Sequence, residues 1–575
     1  DLNIKGVMAG GQMHKMFLYA DDILLILSDP ASSIPGVMDI IENFSKMSGY
    51  KINWQKSEVM PVSVGCSIAD IGAFPFTWIP SGMKYLGIRL TTDFQTLVQI
   101  NMDPVLQNIK TNFAKWKMIN LSLWGKINTV KMMVSSKINY ISMMIPLTIP
   151  ESLFKQYNDI VRDYLWDGKK PRISLNKLFT TRDRGGLALP NIELYNISFE
   201  LVRLCEHWSE RDSTLGWLEI EKSLTFPFSY IDALSQKLAN AHLVNPILQH
   251  SRDVWNKIHK LLRMSQYKQS YSSIWENPAV KIGKKTVFWR TWYTKGIATI
   301  RDVFEEGILY SFQGLKEKYN LNDKGDFWKY LQLRSCVLST GCNTAQVESV
   351  LQNFLKLPKM VQSSSVFYKM AANALYGESE NLRIIWQKDL GIEMEQEVWE
   401  NIVHNMGWPV RDIKTKFIHY KIIHKYYWTP VRLKRLGLIQ SNECWKCKSS
   451  MGTFLHLMWD CPLVSPFWAR VIGTMEEWLE QPLPSSPRLF LLGDKTVLTA
   501  GLSKAQLGLA LAGSLNAAKV ILRKWKITSA PCYKDWIELM TSTASYELML
   551  AKVGDSVSKF SAMWDSFLTY IKDGG

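Results

Sequence analysis

Residues 15–27 read KMFLYADDILLIL, two apolar runs on either side of the acidic step Asp21-Asp22. Such runs suit buried strands, and an acidic pair between them suits a tight hairpin turn. Adjacent carboxylates at a strand turn are costly unless hydrated, neutralised or bound to cations. Phosphoryl transfer uses such a placement. Two divalent ions roughly 4 Å apart can clamp the attacking and leaving oxygens, and Mg²⁺ takes few protein carboxylates while keeping waters and substrate phosphates. Asp is also common in ordinary turns, so an Asp-Asp step alone reads first as a plain hairpin turn.

Outward from the hairpin the pattern is mixed. Residues 30–33 break the apolar run, residues 34–47 have helical periodicity, and Gly49 stops it. Residues 50–60 (YKINWQKSEVM) read as a strand with a turn and residues 84–90 (KYLGIRL) as another strand, giving an α+β opening. After about residue 95 the pattern becomes helical, over 104–116 and 124–140, with Asp103 before Pro104 as an expected N-cap. Residues 166–172 (WDGKKPR) read as a basic loop and 181–191 (TRDRGGLALPN) as a turn-rich connector. Helical patterns continue to about residue 440. Residues 482–487 (PLPSSP) resemble a linker, and helices are expected over 503–526 and 555–572.

The hairpin's neighbours give it a family likeness. Phe17-Leu18-Tyr19-Ala20-Asp21-Asp22, with Gly10-Gly11-Gln12 upstream, resembles the catalytic hairpin of reverse transcriptases of LINE-1-type non-LTR retrotransposons. Residues 48–58 (SGYKINWQKSE) resemble the next palm motif, and Tyr85-Leu86-Gly87-Ile88 the motif that leads into the thumb. WDGKKPR, GGLALPN and Trp428-Thr429-Pro430 with Arg432-Leu433 resemble the family's C-terminal region. The resemblance implies that Asp21 is an Mg²⁺ ligand with Asp22 as its partner. It places Tyr19 near the primer or incoming nucleotide and Lys56 near the triphosphate, where an ammonium can stabilise developing charge. Leu86 and Gly87 would form a primer grip. The implied partners are template RNA, a DNA primer or target, and a deoxynucleoside triphosphate, in cytoplasm and nucleus. The family's fingers and its other catalytic aspartate, on an earlier palm strand, have no match in this sequence. The chain is therefore expected not to copy RNA by itself. The chain opens on Asp1, not Met, which suggests a truncated product or an open reading frame entered part-way.

Cys444-Trp445-Lys446-Cys447, His456 and Cys461 form a second constellation. Three thiolates and one imidazole suit tetrahedral zinc, and a closed four-ligand site is structural. His456 and Cys461 are five positions apart, close to one helical turn. LINE-type proteins have a similar motif at this place. Cys66, Cys205, Cys336, Cys342 and Cys532 follow no metal spacing and read as buried thiols; eight Cys in 575 residues exclude a disulfide scaffold. His419 and His424, beside Lys421 and Lys425, read as a basic helix face.

Between these lies a basic and aromatic stretch, with Lys414, Lys416, Lys421, Lys425, Arg432, Lys434 and Arg435 among Phe417, Tyr420, Tyr426, Tyr427 and Trp428. Cations contact phosphates without reading sequence, and aromatics either stack on bases or pack inward. The lysines at 110, 115, 117, 126, 131 and 137 carry the same argument for a duplex backbone. The whole chain has 68 Lys+Arg against 52 Asp+Glu, a net charge of +16, which suits polyanionic partners. With 47% hydrophobic and 21% charged residues the composition is globular, not disordered. The most apolar stretch, 507–522, carries Ser514, Asn516 and Lys519 and falls short of the ~20 residues of a membrane span; it reads as a packed helix with no membrane partner.

The expected architecture is α+β. A partial palm over 1–95 is followed by a helical thumb over 96–210 and a helical segment over 211–413. A basic/aromatic and zinc-knuckle-like region over 414–480 and a helical tail over 481–575 complete the chain. The expected function is the C-terminal part of a retrotransposon RNA-directed DNA polymerase. The alternative is a non-catalytic nucleic-acid-binding protein left from a decayed or adopted element.

Overall fold

The computed structural model describes residues 4–63, 65–71, 74–208, 216–226, 228–235, 245–339, 341, 350–355, 363–376, 380–498 and 501–573; Cys342 lies outside them. Helices make up most of these residues. A few short strands pair only two by two, which gives an α+β composition. Two compact units interleave along the sequence. One comprises Asp1–Ala114, Met133–Ile160 and Asn191–Leu375, the other Lys115–Met132, Val161–Pro190 and Tyr376–Gly575.

In the first unit, strands Met16–Tyr19 and Asp22–Leu25 pair antiparallel with Tyr19 opposite Asp22. The turn is thus Ala20-Asp21, with Ala20 in the left-handed region at φ 52°, and not Asp21-Asp22. The expectation of buried strands is corrected here. Met16, Phe17, Leu18, Tyr19 and Ile23 are all exposed, because a lone two-stranded ribbon has no second layer to cover its apolar side chains. The following helix starts earlier than its periodicity suggests, at Pro30–Ser48. Proline at the first helical position lacks only an N–H that would be unpaired there anyway. Asp29 caps it, accepting from the Ser32 N–H at 3.3 Å, and Gly49 closes it at φ 78°.

Residues 50–60 form a 3₁₀ turn, Trp54–Lys56, and a two-residue strand, Glu58–Val59, which pairs in parallel with Thr77–Trp78. Residues 84–90 are a hairpin and not one strand: Met83–Tyr85 folds back on Ile88–Leu90 about Leu86 and Gly87, both at positive φ. The Asn101 side chain holds this hairpin to the next helix, accepting from the Arg89 N–H at 2.8 Å and donating to the Arg89 carbonyl at 2.9 Å. That helix is Phe94–Trp116, so Asp103 lies inside it and caps nothing. The capping carboxylate is Asp93, which accepts from the Gln95 N–H at 2.9 Å.

Two further features organise this unit, a network among its helices and a separate core. Around Arg203, the carboxylates of Glu200 and Glu221, the hydroxyls of Ser251 and Tyr230 and the ring of His207 form a buried ionic network. Farther along, Trp275, Trp292, Ile300, Leu315 and Leu333 gather in a core of their own. Two short hairpins decorate it, Lys281–Ile282 with Lys285–Thr286 and Phe304–Glu305 with Ile308–Leu309.

The second unit has its core among the helices Ile413–Ile423, Ser465–Leu479, Lys504–Arg523, Tyr533–Val553 and Val557–Lys572, with Trp386, Trp399, Trp468, Trp536 and Trp564 fully buried. The Trp side chains here are packing groups. Lys504–Arg523 is long and apolar enough to cross a membrane by length and composition, yet 72% of its apolar window is buried inside the protein. Ser503 and Gln506 cap it reciprocally. Its Gly513 carbonyl accepts from Trp536 Nε1 at 3.0 Å. Residues 482–487 do not act as a free linker, since Leu483 is buried in the same core. The helix Tyr533–Val553 lies within the expected helical tail, between the two helices read from the pattern there.

Candidate metal centre and basic surface

The loop that carries Cys444 and Cys447 is closed by the pairing of Glu443 with Met451 and by the Cys444 N–H on the Ser450 carbonyl at 2.8 Å. Lys448, at φ 55°, turns the chain, and the Lys446 N–H points at Cys444 Sγ at 3.4 Å. Gly452 lets the loop lie against Pro430, where a Cβ would meet the ring carbon at 2.5 Å. The other two groups come from one irregular turn. Residues five apart on an α-helix differ by about 140° in direction, so a regular helix would aim His456 and Cys461 apart. Here His456–Asp460 is a π turn, and the Cys461 N–H closes it on the His456 carbonyl at 2.9 Å. The wider turn brings both side chains to one side.

The four ligand atoms all lie within 4.8 Å of one another, with Cys444 and Cys461 buried. The Sγ atoms of Cys444 and Cys461 are 3.9 Å apart, and Cys447 Sγ is 3.3 Å from His456 Nε2. A tetrahedral ion with bonds of about 2.0–2.3 Å sets neighbouring ligand atoms roughly 3.5–3.8 Å apart, so the cluster matches one metal ion and no disulfide. Burial opposes a thiolate at Cys447, but hydrogen bonds from Ser449, His456 and Cys444 outweigh it and lower its pKa. Burial and the Cys444 charge raise that of Cys461. Three thiols and one imidazole could hold a metal here. Among the described residues this is the one such group of three or more acidic, His or Cys side chains.

Asp21 and Asp22, both exposed, therefore belong to no such cluster. Tyr19 is 63% exposed. Lys56 ends the 3₁₀ turn, exposed and without an ion pair to either carboxylate. Leu86 and Gly87 form the turn of their hairpin, and the Tyr140 hydroxyl donates to the Leu86 carbonyl.

The basic stretch is split by the fold. Lys414, Arg432, Lys434 and Arg435 are exposed, and Lys416 is half-buried. Lys425 pairs with Asp389 and lies 4.1 Å from the Trp386 ring centre, so its charge is already engaged. Phe417 and Tyr420 are buried and pack inward. His419 and His424 do not form a basic face. His419 is buried, and its Nδ1 accepts from the Gly407 N–H at 2.9 Å. His424 Nε2 donates to the Gly185 carbonyl at 2.7 Å. Burial pushes both down to about 4, which keeps them neutral. Several of the earlier lysines are also engaged: Lys117 with Asp163 and Lys126 with Asp167, each at 2.5 Å, and Lys131 with the Leu187 carbonyl at 3.1 Å.

Sequence reading did not join the loop at 166–172 to this stretch. The Arg172 guanidinium lies 5.2 Å from the Tyr426 ring centre, and the Lys421 ammonium lies 5.3 Å from the same centre. The basic composition of WDGKKPR marks the loop, but nothing local reveals a partner some 250 positions away. Compared with models of known protein families, the sequence matches none.

Proposed function

We propose that the chain is the C-terminal part of a LINE-type RNA-directed DNA polymerase that binds template RNA and target DNA and does not copy RNA alone. The observation that carries this reading is the tip of the first hairpin. Tyr19 and Asp22 face each other across the Ala20-Asp21 turn, so two adjacent carboxylates stand exposed at a strand end. The ordered motifs around Gly49, Lys56 and Leu86-Gly87 and the +16 charge support it. Two-ion phosphoryl transfer needs more oxygen ligands than two neighbouring carboxylates supply, and no third acidic, His or Cys group joins them among the described residues. That supports inactivity of this chain alone and leaves Mg²⁺ as a ligand of a more complete site. Cys444, Cys447, His456 and Cys461 would hold zinc in a closed, structural set.

The test has two arms. RNA and DNA binding should fall steeply as salt rises, and a flat response rejects the nucleic-acid reading. Primer extension on RNA with Mg²⁺ should give no product. Templated synthesis that disappears in Asp21→Ala would instead make the chain a polymerase in its own right.

A further inference from the structure

Arg172 and Lys421 share one aromatic ring and no counter-ion. The Lys421 ammonium is 4.4 Å from the Phe417 ring centre and 5.3 Å from that of Tyr426, and the Arg172 guanidinium also approaches Tyr426. Lys421 is half-buried and Arg172 exposed. Neither has an acidic partner among the described residues. The nearby carboxylates are committed elsewhere, Asp389 to Lys425 and Asp167 to Lys126. Lys177 and Arg432 form a second pair of like charges, near enough for the Arg432 charge to act on Lys177. Arg432 lies 4.5 Å from the Trp428 ring centre, and its Nη1 reaches the Lys425 carbonyl at 3.5 Å. Burial and then the Arg172 charge lower the Lys421 pKa; burial and then the Arg432 charge lower that of Lys177.

Paired cations without an anion repel, and partial burial makes the Lys421 charge harder to hold. Cation–π contacts offset only part of that, about 0.5–2 kcal/mol each. A phosphate would relieve both costs at once. Arg offers it a planar two-pronged donor and Lys a compact point charge, while the Tyr426 ring, itself stacked on Trp166, holds the two cations together.

We propose that Arg172, Lys421 and Tyr426 form one cleft that grips the phosphodiester backbone of a single-stranded nucleic acid. The loop at 166–172 and the helix Ile413–Ile423 act in it as two jaws. This rests on the nucleic-acid reading above and assigns it a place that includes residues outside 414–435.

The test is binding of labelled oligouridylate and oligothymidylate by the full chain between about 50 and 200 mM salt, for wild type, Arg172→Gln, Lys421→Gln and the double variant. Each lost phosphate contact should weaken binding about fivefold at 0.1 M salt and lower the salt slope by about 0.7, and the double variant should lower it by about 1.4. The melting temperature should hold or rise, because each change removes a like-charge repulsion. Arg172 is exposed on a loop, so its variant reports even if Lys421→Gln unfolds. Slopes equal to wild type, or a lower melting temperature with an unchanged slope, overturn the cleft while leaving the nucleic-acid reading intact. A wild type that binds neither oligonucleotide overturns both. Displacement of the oligonucleotide by tripolyphosphate or dTTP at equal phosphate concentration would overturn the assignment to a chain in favour of a free triphosphate.

Discussion

The Lys446 ammonium donates to the carbonyl oxygen of Lys524 at 2.7 Å. Lys446 sits between the two cysteines of the loop, is 4% exposed, and also reaches the carbonyls of Ile527 and Ser529 at 3.1 and 3.5 Å. Those carbonyls belong to the chain just after it leaves the helix Lys504–Arg523. The cysteine loop is thereby tied to the end of the most buried helix of its unit.

Lys446→Met keeps the aliphatic stem and removes the charge, leaving the three carbonyls without this donor. Hydrogen bonds to charged groups are worth roughly 1.5–3 kcal/mol, so the variant should lose about 2 kcal/mol of unfolding free energy. Urea denaturation measures it. A midpoint that does not move would show that the contact adds nothing to stability.

A closed zinc site makes its own prediction. One zinc per chain should be found by elemental analysis, and Cys461→Ser should abolish it. Cys461 is fully buried beside Cys444, so its loss removes a ligand that no other described group can replace. Strong chelation should expose three additional thiols to a thiol reagent and lower the melting temperature, since metal-binding energy at such sites is folding energy. Equal thiol counts with and without chelator would reject the site.

Local signals made this cluster legible. Cys-x-x-Cys defines a turn by itself, and His456 with Cys461 lies within one turn of chain. The π geometry that aligns them was not legible, because it needs the closed i to i+5 bond. The same contrast runs through the fold. Gly49 ended the first helix as expected, while Asp103 misled because Asp93, ten residues earlier, already capped a helix that runs through Pro104. The hairpins at Gly283 and Gly307 carry ordinary turn dipeptides that were lost inside an expected helical run. The Arg172–Tyr426 approach and the Lys425–Asp389 pair are long-range, and charge composition cannot say which cations are already paired.

The buried network around Arg203 should be intolerant of partial removal. Its guanidinium donates to Glu200 Oε2 at 2.9 Å and to the Glu221 carboxylate, and both acids are nearly inaccessible. Arg203→Leu leaves two carboxylates facing each other away from water. Removing one partner of a buried ion pair costs about 3–5 kcal/mol, enough to unfold a unit of ordinary stability. Soluble expression and denaturant midpoints test this. The triple variant Arg203→Leu, Glu200→Gln, Glu221→Gln should recover part of the loss, and no recovery would place the effect in packing instead of charge.

Acid should weaken the second unit through His419 and His424. Both are held neutral by burial, with folded values near 4 against an unfolded value of 6.5. Above pH 6.5 neither state binds the proton, and the stability is fully present. Between 6.5 and 4 the unfolded chain takes up protons that the folded chain refuses, so stability falls as pH falls, by at most about 1.4 kcal/mol per pH unit for each ring. His424 illustrates why. Nε2 already donates to Gly185, so an added proton would go to Nδ1, which is buried without a partner. His424→Gln keeps a donor for Gly185 and cannot titrate. Its urea midpoint should therefore fall about half as steeply as that of wild type between pH 7 and pH 5. Parallel slopes would assign the acid sensitivity to other groups, the thiols of Cys444, Cys447 and Cys461 foremost among them.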